Sequence, residues 1–242
     1  MRPLAIDLFC GLGGWTEGLL AEGYDVVGFD IEQHVYGEHR YPAQLVIQDV
    51  LTIHGKQFKG ADLIVASPPC QEYSYMAMPW TKAKAKAAKY RSGELDVKQL
   101  TALFDACFRI QREACEAAGR HIPLVVENVR GAQPWVGRSQ WSFGSFHLWG
   151  DVPALMPMVA GRKNGGGSWF NIAHNTTSGK GRNPDGRKVG GDWFGKGNDM
   201  SLMRQHHSKS NSRKFASAMI AKIPLALSRH IAATYRPRAE AA

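Results

Sequence analysis

The sequence predicts an α/β fold, a doubly wound and mostly parallel sheet with one small loop-rich insertion. Three observations lead there. Short apolar runs alternate with helical patterns as far as Glu127. A glycine-rich turn joins the first apolar run to the first helical pattern. After Gly131 the composition shifts, and Gly161 to Asn211 is rich in glycine, lysine, arginine and asparagine but poor in aliphatic residues.

Leu4-Ala5-Ile6-Asp7-Leu8-Phe9 reads as the first strand, Cys10-Gly11-Leu12-Gly13-Gly14 as the turn, and the pattern through Leu19, Leu20 and Ala21 as the first helix. Gly23-Tyr24 ends that helix. Val26-Val27-Gly28-Phe29 is a second strand with Asp30 at its carboxyl end, and a helix is expected after it, through His39. Leu45-Val46-Ile47 and Leu63-Ile64-Val65-Ala66 are further strands, the latter halted by Pro68 and Pro69. Leu100, Leu103, Phe104, Cys107, Ile110 and Ala114 recur at helical spacing between Lys98 and Ala118, and Pro123 to Glu127 is then a buried strand. The insertion carries isolated aromatics, Trp169, Phe170, Trp193 and Phe194. Helix returns from Lys214 to Tyr235, broken near Pro224. The expected division is 1–149 with 214–242 as the main domain and 150–213 as a small separate region. In a sheet of this kind ligands gather beyond the strand carboxyl ends, where the glycine turn, Asp30, Cys70 and Glu127 all fall.

A chain of 242 residues can bury one substantial core. With 44% apolar and 21% charged residues and no apolar run of about 18, it is expected to avoid membranes. The amino terminus enters a strand pattern without a signal-peptide stretch, so a cytoplasmic location is expected; a monomer is expected as well. The net charge of +9 suits a polyanionic partner. Cys10, Cys70, Cys107 and Cys115 lack the paired spacing of a zinc site, and His206-His207 lacks acidic or cysteine partners; no metal is expected.

Ser67-Pro68-Pro69-Cys70-Gln71 fixes a thiol on a rigid turn at a strand end, flanked by polar Gln71 and Glu72. An inert core thiol suits Cys107 and Cys115; it does not explain two prolines before Cys70. Glu127-Asn128-Val129 brings a carboxyl to the end of another strand, where alone it would read equally as a cap or an ion pair. The glycine turn and Asp30 would serve any adenosine-type cofactor. An NAD-dependent oxidoreductase would use them but leave Cys70 and Glu127 without a role.

In order and spacing, Asp7-Leu8-Phe9-Cys10-Gly11-Leu12-Gly13-Gly14, Ser67-Pro68-Pro69-Cys70-Gln71 and Glu127-Asn128-Val129 resemble the cofactor loop, nucleophile loop and acid motif of the DNA cytosine-5 methyltransferases. The resemblance implies a Rossmann-like fold, S-adenosyl-L-methionine as cofactor and double-stranded DNA as partner, with the target base flipped out. By that resemblance Cys70 is the nucleophile, assisted by Glu127, Asn128 and Gln71. The cofactor would be bordered by Asp7, Phe9, Gly11, Leu12, Gly13, Gly14 and Pro69, with Asp30 on its ribose, Ile31 against adenine and Asp49 beside the adenine amino group. DNA contacts are expected from Ser74, from Lys82, Lys84 and Lys86 of the lysine run after the nucleophile, and from Lys180 and Arg182 of the 150–213 target-recognition region.

Two motifs depart from the family pattern. No Gln-x-Arg-x-Arg follows the acid motif; Gln140-Trp141-Ser142-Phe143-Gly144 is the nearest stretch, and Arg138 or Arg162 is the candidate to replace the arginine. The usual Gly-Asn-x-x-Pro reads Ile220-Ala221-Lys222-Ile223-Pro224, where Lys222 either faces solvent or suits a donor carrying an extra carboxylate. The compact recognition region points to a short target site and a phage-encoded member, whose methylation would serve either restriction-modification or regulation. An exocyclic-amine methyltransferase, the rival within the same fold, would carry Asn or Asp before the prolines and an aromatic residue after them; Ser67 and Cys70 argue against it.

Overall fold

The computed structural model describes residues 2–73, 80–143, 146–156 and 211–237. In chain order the strands are β1 (Leu4–Leu8), β2 (Asp25–Asp30), β3 (Val35–Tyr36), β4 (His39–Arg40), β5 (Gln44–Ile47), β6 (Leu63–Ala66), β7 (Leu124–Asn128), β8 (Trp141–Phe143) and β9 (Phe146–Gly150). The helices are α1 (Gly14–Ala21), α2 (Trp80–Arg91), α3 (Val97–Ala118), α4 (Gln133–Val136), α5 (Asn211–Ala221) and α6 (Leu225–Tyr235).

Seven strands form one sheet in the order β5-β2-β1-β6-β7-β9-β8. From β5 to β7 every pairing is parallel; β9 runs antiparallel to β7, and β8 antiparallel to β9. Parallel strands need both faces covered, and every residue of β6 and β7 is buried. Successive strand residues point to opposite faces. Ala5, Leu63, Val65 and Val125 accordingly pack with Trp15 and Leu19 of α1 and Leu227 and Ile231 of α6. Ile6, Ile64, Ala66, Leu124 and Val126 pack with Phe104, Cys107, Ile110 and Ala114 of α3 on the other face. Asp96 starts α3 by accepting a hydrogen bond from the Lys98 amide (2.8 Å), and Gly119, at φ 64°, ends it.

α6 lies beside α1 and runs in the same direction. A Cβ added to Gly14 would strike the Ile223 amide, one added to Gly18 would come 2.5 Å from the Arg229 amide nitrogen, and the Tyr24 hydroxyl donates to the Ala232 carbonyl (3.0 Å). At the foot of α1, Arg2 pairs with Asp25 (3.7 Å) and the Arg236 guanidinium comes against Gly23. No helix of the described residues is long and apolar enough to cross a membrane.

The helix expected from Asp30 to His39 is absent: a two-stranded antiparallel hairpin, β3 with β4, takes its place. Gly37, at φ +61°, stands first in the two-residue loop between Tyr36 and His39, the order a type II′ hairpin turn requires. Phe215 of α5 covers the hairpin, its ring 5.4 Å from that of Tyr36 and 4.9 Å from that of His39. Of the 150–213 region, residues 157–210 lie outside those described.

Candidate active site

The turn after β6 is held at several points. The Ser67 amide continues the β1 pairing by donating to the Leu8 carbonyl (3.2 Å), and the Ser67 hydroxyl accepts from the Trp15 indole (2.9 Å). The Cys70 carbonyl accepts from the Tyr73 amide (3.0 Å), and the buried Tyr73 hydroxyl donates to the Leu100 carbonyl on α3 (2.8 Å). Pro68 is buried, Pro69 exposed, Cys70 half-buried and Gln71 exposed. The other thiols differ: burial, reinforced by the Asp7 and Asp30 carboxylates, pushes the Cys10 thiol far up, and burial does the same to Cys107. Both stay protonated and unreactive.

β7 is the next strand, in register Ala66 to Val126, and it ends in Glu127 and Asn128, both buried. The Asn128 side chain bonds on both sides: Nδ2 donates to the Pro68 carbonyl (2.9 Å) and Oδ1 accepts from the Val129 amide (2.8 Å). The turn that carries Cys70 and the strand end that carries Glu127 thus follow adjacent strands and are joined by the Asn128 amide.

The glycine turn and the carboxyl end of β2 stand at the same edge of the sheet, on the other side of β1. Phe9 leaves β1 with φ 57°, a left-handed conformation that a bulky residue rarely holds. The buried Asp30 carboxylate accepts from the Gly11 amide (2.8 Å) through one oxygen and from the Ile31 amide (2.8 Å) through the other, with His34 at 3.7 Å. Burial pushes this carboxyl up, but His34 and the backbone amides outweigh it and hold it below the ordinary value. His34 is raised in turn, chiefly by its hydrogen bond to Asp30. Space above Gly11 is open; Gly13 is small for a different reason, since a Cβ there would lie 2.5 Å from Pro42. Leu12 is buried and Ile31 is 70% exposed. Asp49 caps a short 3-10 turn by accepting from the Leu51 amide (2.9 Å).

Beneath the glycine turn, Thr16 donates to Asp7 Oδ2 (2.6 Å) and accepts from the Tyr41 hydroxyl (2.6 Å). Burial pushes the Asp7 carboxyl up to about 7; the Thr16 hydroxyl opposes the rise and the Asp30 carboxylate adds to it. Asp7 Oδ1 has no hydrogen-bond partner among the described residues. Trp15, Thr16, Tyr41, Tyr73 and His34 were not singled out in the sequence. The signal available was a polar-tipped aromatic or hydroxyl in an otherwise apolar element, where burial demands a partner.

The expected DNA contacts divide. Lys82 and Lys84 are exposed on α2, and Lys86 pairs with Glu72, two residues beyond Cys70. α2 docks beside α4 through Tyr90 and Arg91 against Trp135. Arg138 is exposed and lines an open cavity of about 710 Å³ with Arg130 and His147. Ser74, Arg162, Lys180 and Arg182 lie outside the described residues. Lys222 meets the carboxylate of Glu17 at 2.5 Å.

A search of the curated proteins finds no significant match. Among solved structures the chain is similar to a DNA modification methyltransferase encoded within an E. coli prophage, at 24% identity over 54% of this chain and 33% of that one, with a TM-score of 0.36. It is similar to the S. pombe Dnmt2 methyltransferase, at 16% identity over 56% and 37%, TM-score 0.34. It is also similar to the Entamoeba histolytica methyltransferase EhMeth, at 17% identity over 56% and 41%, TM-score 0.34. The similarity thus spans about two fifths or less of the length of these structures. Residues 4–110, somewhat under half of the chain, match the family model described as C-5 cytosine-specific DNA methylase.

Proposed function

We propose that this chain transfers a methyl group to carbon 5 of a cytosine flipped out of double-stranded DNA, with Cys70 as nucleophile and Glu127 as the assisting acid. The single observation that supports this most is the Asn128 amide, which binds the nucleophile turn to the strand end bearing Glu127. Carbon 5 of cytosine is a poor nucleophile. Addition of the Cys70 thiolate to carbon 6 pushes the ring electrons toward carbon 5, and Glu127 steadies the change by hydrogen-bonding or protonating ring nitrogen 3. Carbon 5 can then take up a methyl group; loss of its proton expels the Cys70 thiolate and restores the ring. Asn128 acts as a positioning residue, and exposed Gln71 is placed to meet the base or its backbone.

S-adenosyl-L-methionine, when bound, supplies that methyl on a positively charged sulfur. The residues present fit it: space is open above Gly11, the Asp30 carboxylate lies at the β2 end to receive ribose hydroxyls, and the exposed Ile31 side chain offers an apolar surface for adenine. Phe9, Leu12, Asp49 and Pro69 complete the proposed surround, while Asp7, Gly13 and Gly14 shape it from beneath. Because Glu17 already balances Lys222, nothing at that position calls for a carboxylated donor, and the ordinary one is proposed.

The test is covalent trapping. Incubated with S-adenosylmethionine and DNA containing 5-fluorocytosine, which cannot lose a carbon-5 proton, the native chain should form a stable adduct and Cys70→Ala none. Glu127→Gln should slow trapping by roughly 10²-fold or more. Equal trapping by native and Cys70→Ala chains would sink the assignment.

A further inference from the structure

The cavity beyond β7 has no role in the chemistry above, yet its lining is specific. It lies between α4 and the β8–β9 hairpin and is walled by Arg130, Gln133, Arg138, Ser139, Gln140 and His147. Both arginines are exposed, and among the described residues neither makes an ion pair. His147 is buried, only 6% exposed, and its Nδ1 is 3.1 Å from the Ser139 hydroxyl, which also reaches Gln133 Oε1 at 3.3 Å. Burial and the Arg130 charge hold the imidazole below its ordinary value, so this network is neutral near pH 7 and the cavity's net charge is that of the arginines. A concave polar site with two unbalanced guanidinium groups is built for an anion whose oxygens accept several hydrogen bonds at once.

Its place in the sheet identifies the anion. His147 is the register partner of Asn128 across β7 and β9, and Asn128 holds Pro68. Two strand steps, roughly 10 Å, separate β9 from β6 and its nucleophile turn, and both lie on the sheet edge where the parallel strands end. α2, docked on α4 through Tyr90 and Arg91 against Trp135, carries exposed Lys82 and Lys84. We infer that Arg130 and Arg138, supported by Ser139, Gln140 and His147, grip a backbone phosphate of the DNA strand beside the extruded nucleotide. The inference rests on the proposed DNA substrate and names where that strand is held. It assigns the arginines to the backbone, so they orient the strand without reading its sequence.

Duplex binding measured without methyl donor, as log Kd against log salt concentration, tests this. Each phosphate contact adds about 0.9 to that slope. The double variant R130Q/R138Q should lose about one contact's worth of slope and bind roughly tenfold more weakly at low salt, to a similar degree on duplexes of different sequence. Gln140→Glu, a surface change that places a negative charge in the same cavity, should act in the same direction. An unchanged slope in both variants overturns the inference. So does a loss that follows the identity of one base, which would make the arginines base readers. Cys70→Ala should keep the native slope while losing the trapped adduct. A normal slope in a native chain that traps nothing therefore condemns the proposed reaction and leaves the phosphate site standing.

Discussion

Asn128 joins backbone to backbone, its side chain bonding the carbonyl of buried Pro68 and the amide of half-buried Val129. Asn128→Ala would leave the Pro68 carbonyl without its donor, at a cost of about 1–3 kcal/mol, and would free the turn that carries Cys70, the proposed nucleophile. Urea unfolding should register the first effect, and a drop in single-turnover trapping at saturating DNA the second; trapping at the native rate would strip Asn128 of any positioning role. Asp7 makes a different prediction. Its carboxyl rises from an ordinary 3.8 to about 7 in the folded chain, so between those values the native state holds a proton that the unfolded state has released. Stability from this group is complete below about pH 4 and is lost as pH rises to 7, by an amount on the order of 4 kcal/mol at 1.36 kcal/mol per pH unit. Asp7→Asn should flatten that fall and be the more stable protein at pH 8, measured by urea midpoints at pH 4, 6 and 8. Parallel profiles for the two proteins would contradict the assignment. Cys70, Glu127 and Asp30 were legible in sequence because each stands at a strand end beside a turn signal. Tyr41, Thr16 and Tyr73 were not, since their partners lie 25, 9 and 27 residues away and only folding reveals them.

At the level of elements, alternation and helical spacing located β1, β2, β5, β6, β7 and α3, whose apolar patterns are strong. The expectation failed between β2 and β5, where a helical reading of Ile31 to His39 passed over Gly37 in a two-residue loop. α2 went unread because it is rich in Ala and Lys and carries no apolar stripe, although those residues favour helix intrinsically. β8 and β9 are short and sit in a stretch already set apart by composition. The contact between α1 and α6 was also invisible, as it depends on glycines reading as ordinary helix residues. Gly18 sits where Ser228 and Arg229 come closest. Gly18→Ala, favourable in an isolated helix, should instead destabilise by about 1–3 kcal/mol or more, because backbone and not a mobile side chain must yield. A midpoint raised by the substitution would show that the two helices do not meet there.

On the scale of the whole molecule, the two core clusters account for the fold: one under α3, the other under α1 and α6, with the sheet between them. Alternating strands and helices announced this architecture, but not that the last helix would lie beside the first. That arrangement carries a further meaning. Residue 2 and residue 236 both border the Glu22–Asp25 turn, where Arg229 also pairs with Glu22 (2.7 Å). In space, α6 occupies the position of a helix that leads into β1, although in sequence it comes last. Order along the chain and order in the structure are therefore separable here. A reordered protein that begins at Asn211, passes from Pro237 to Arg2 through a short flexible linker and ends at Met156 should retain the α1–α6 contact and unfold in one cooperative transition.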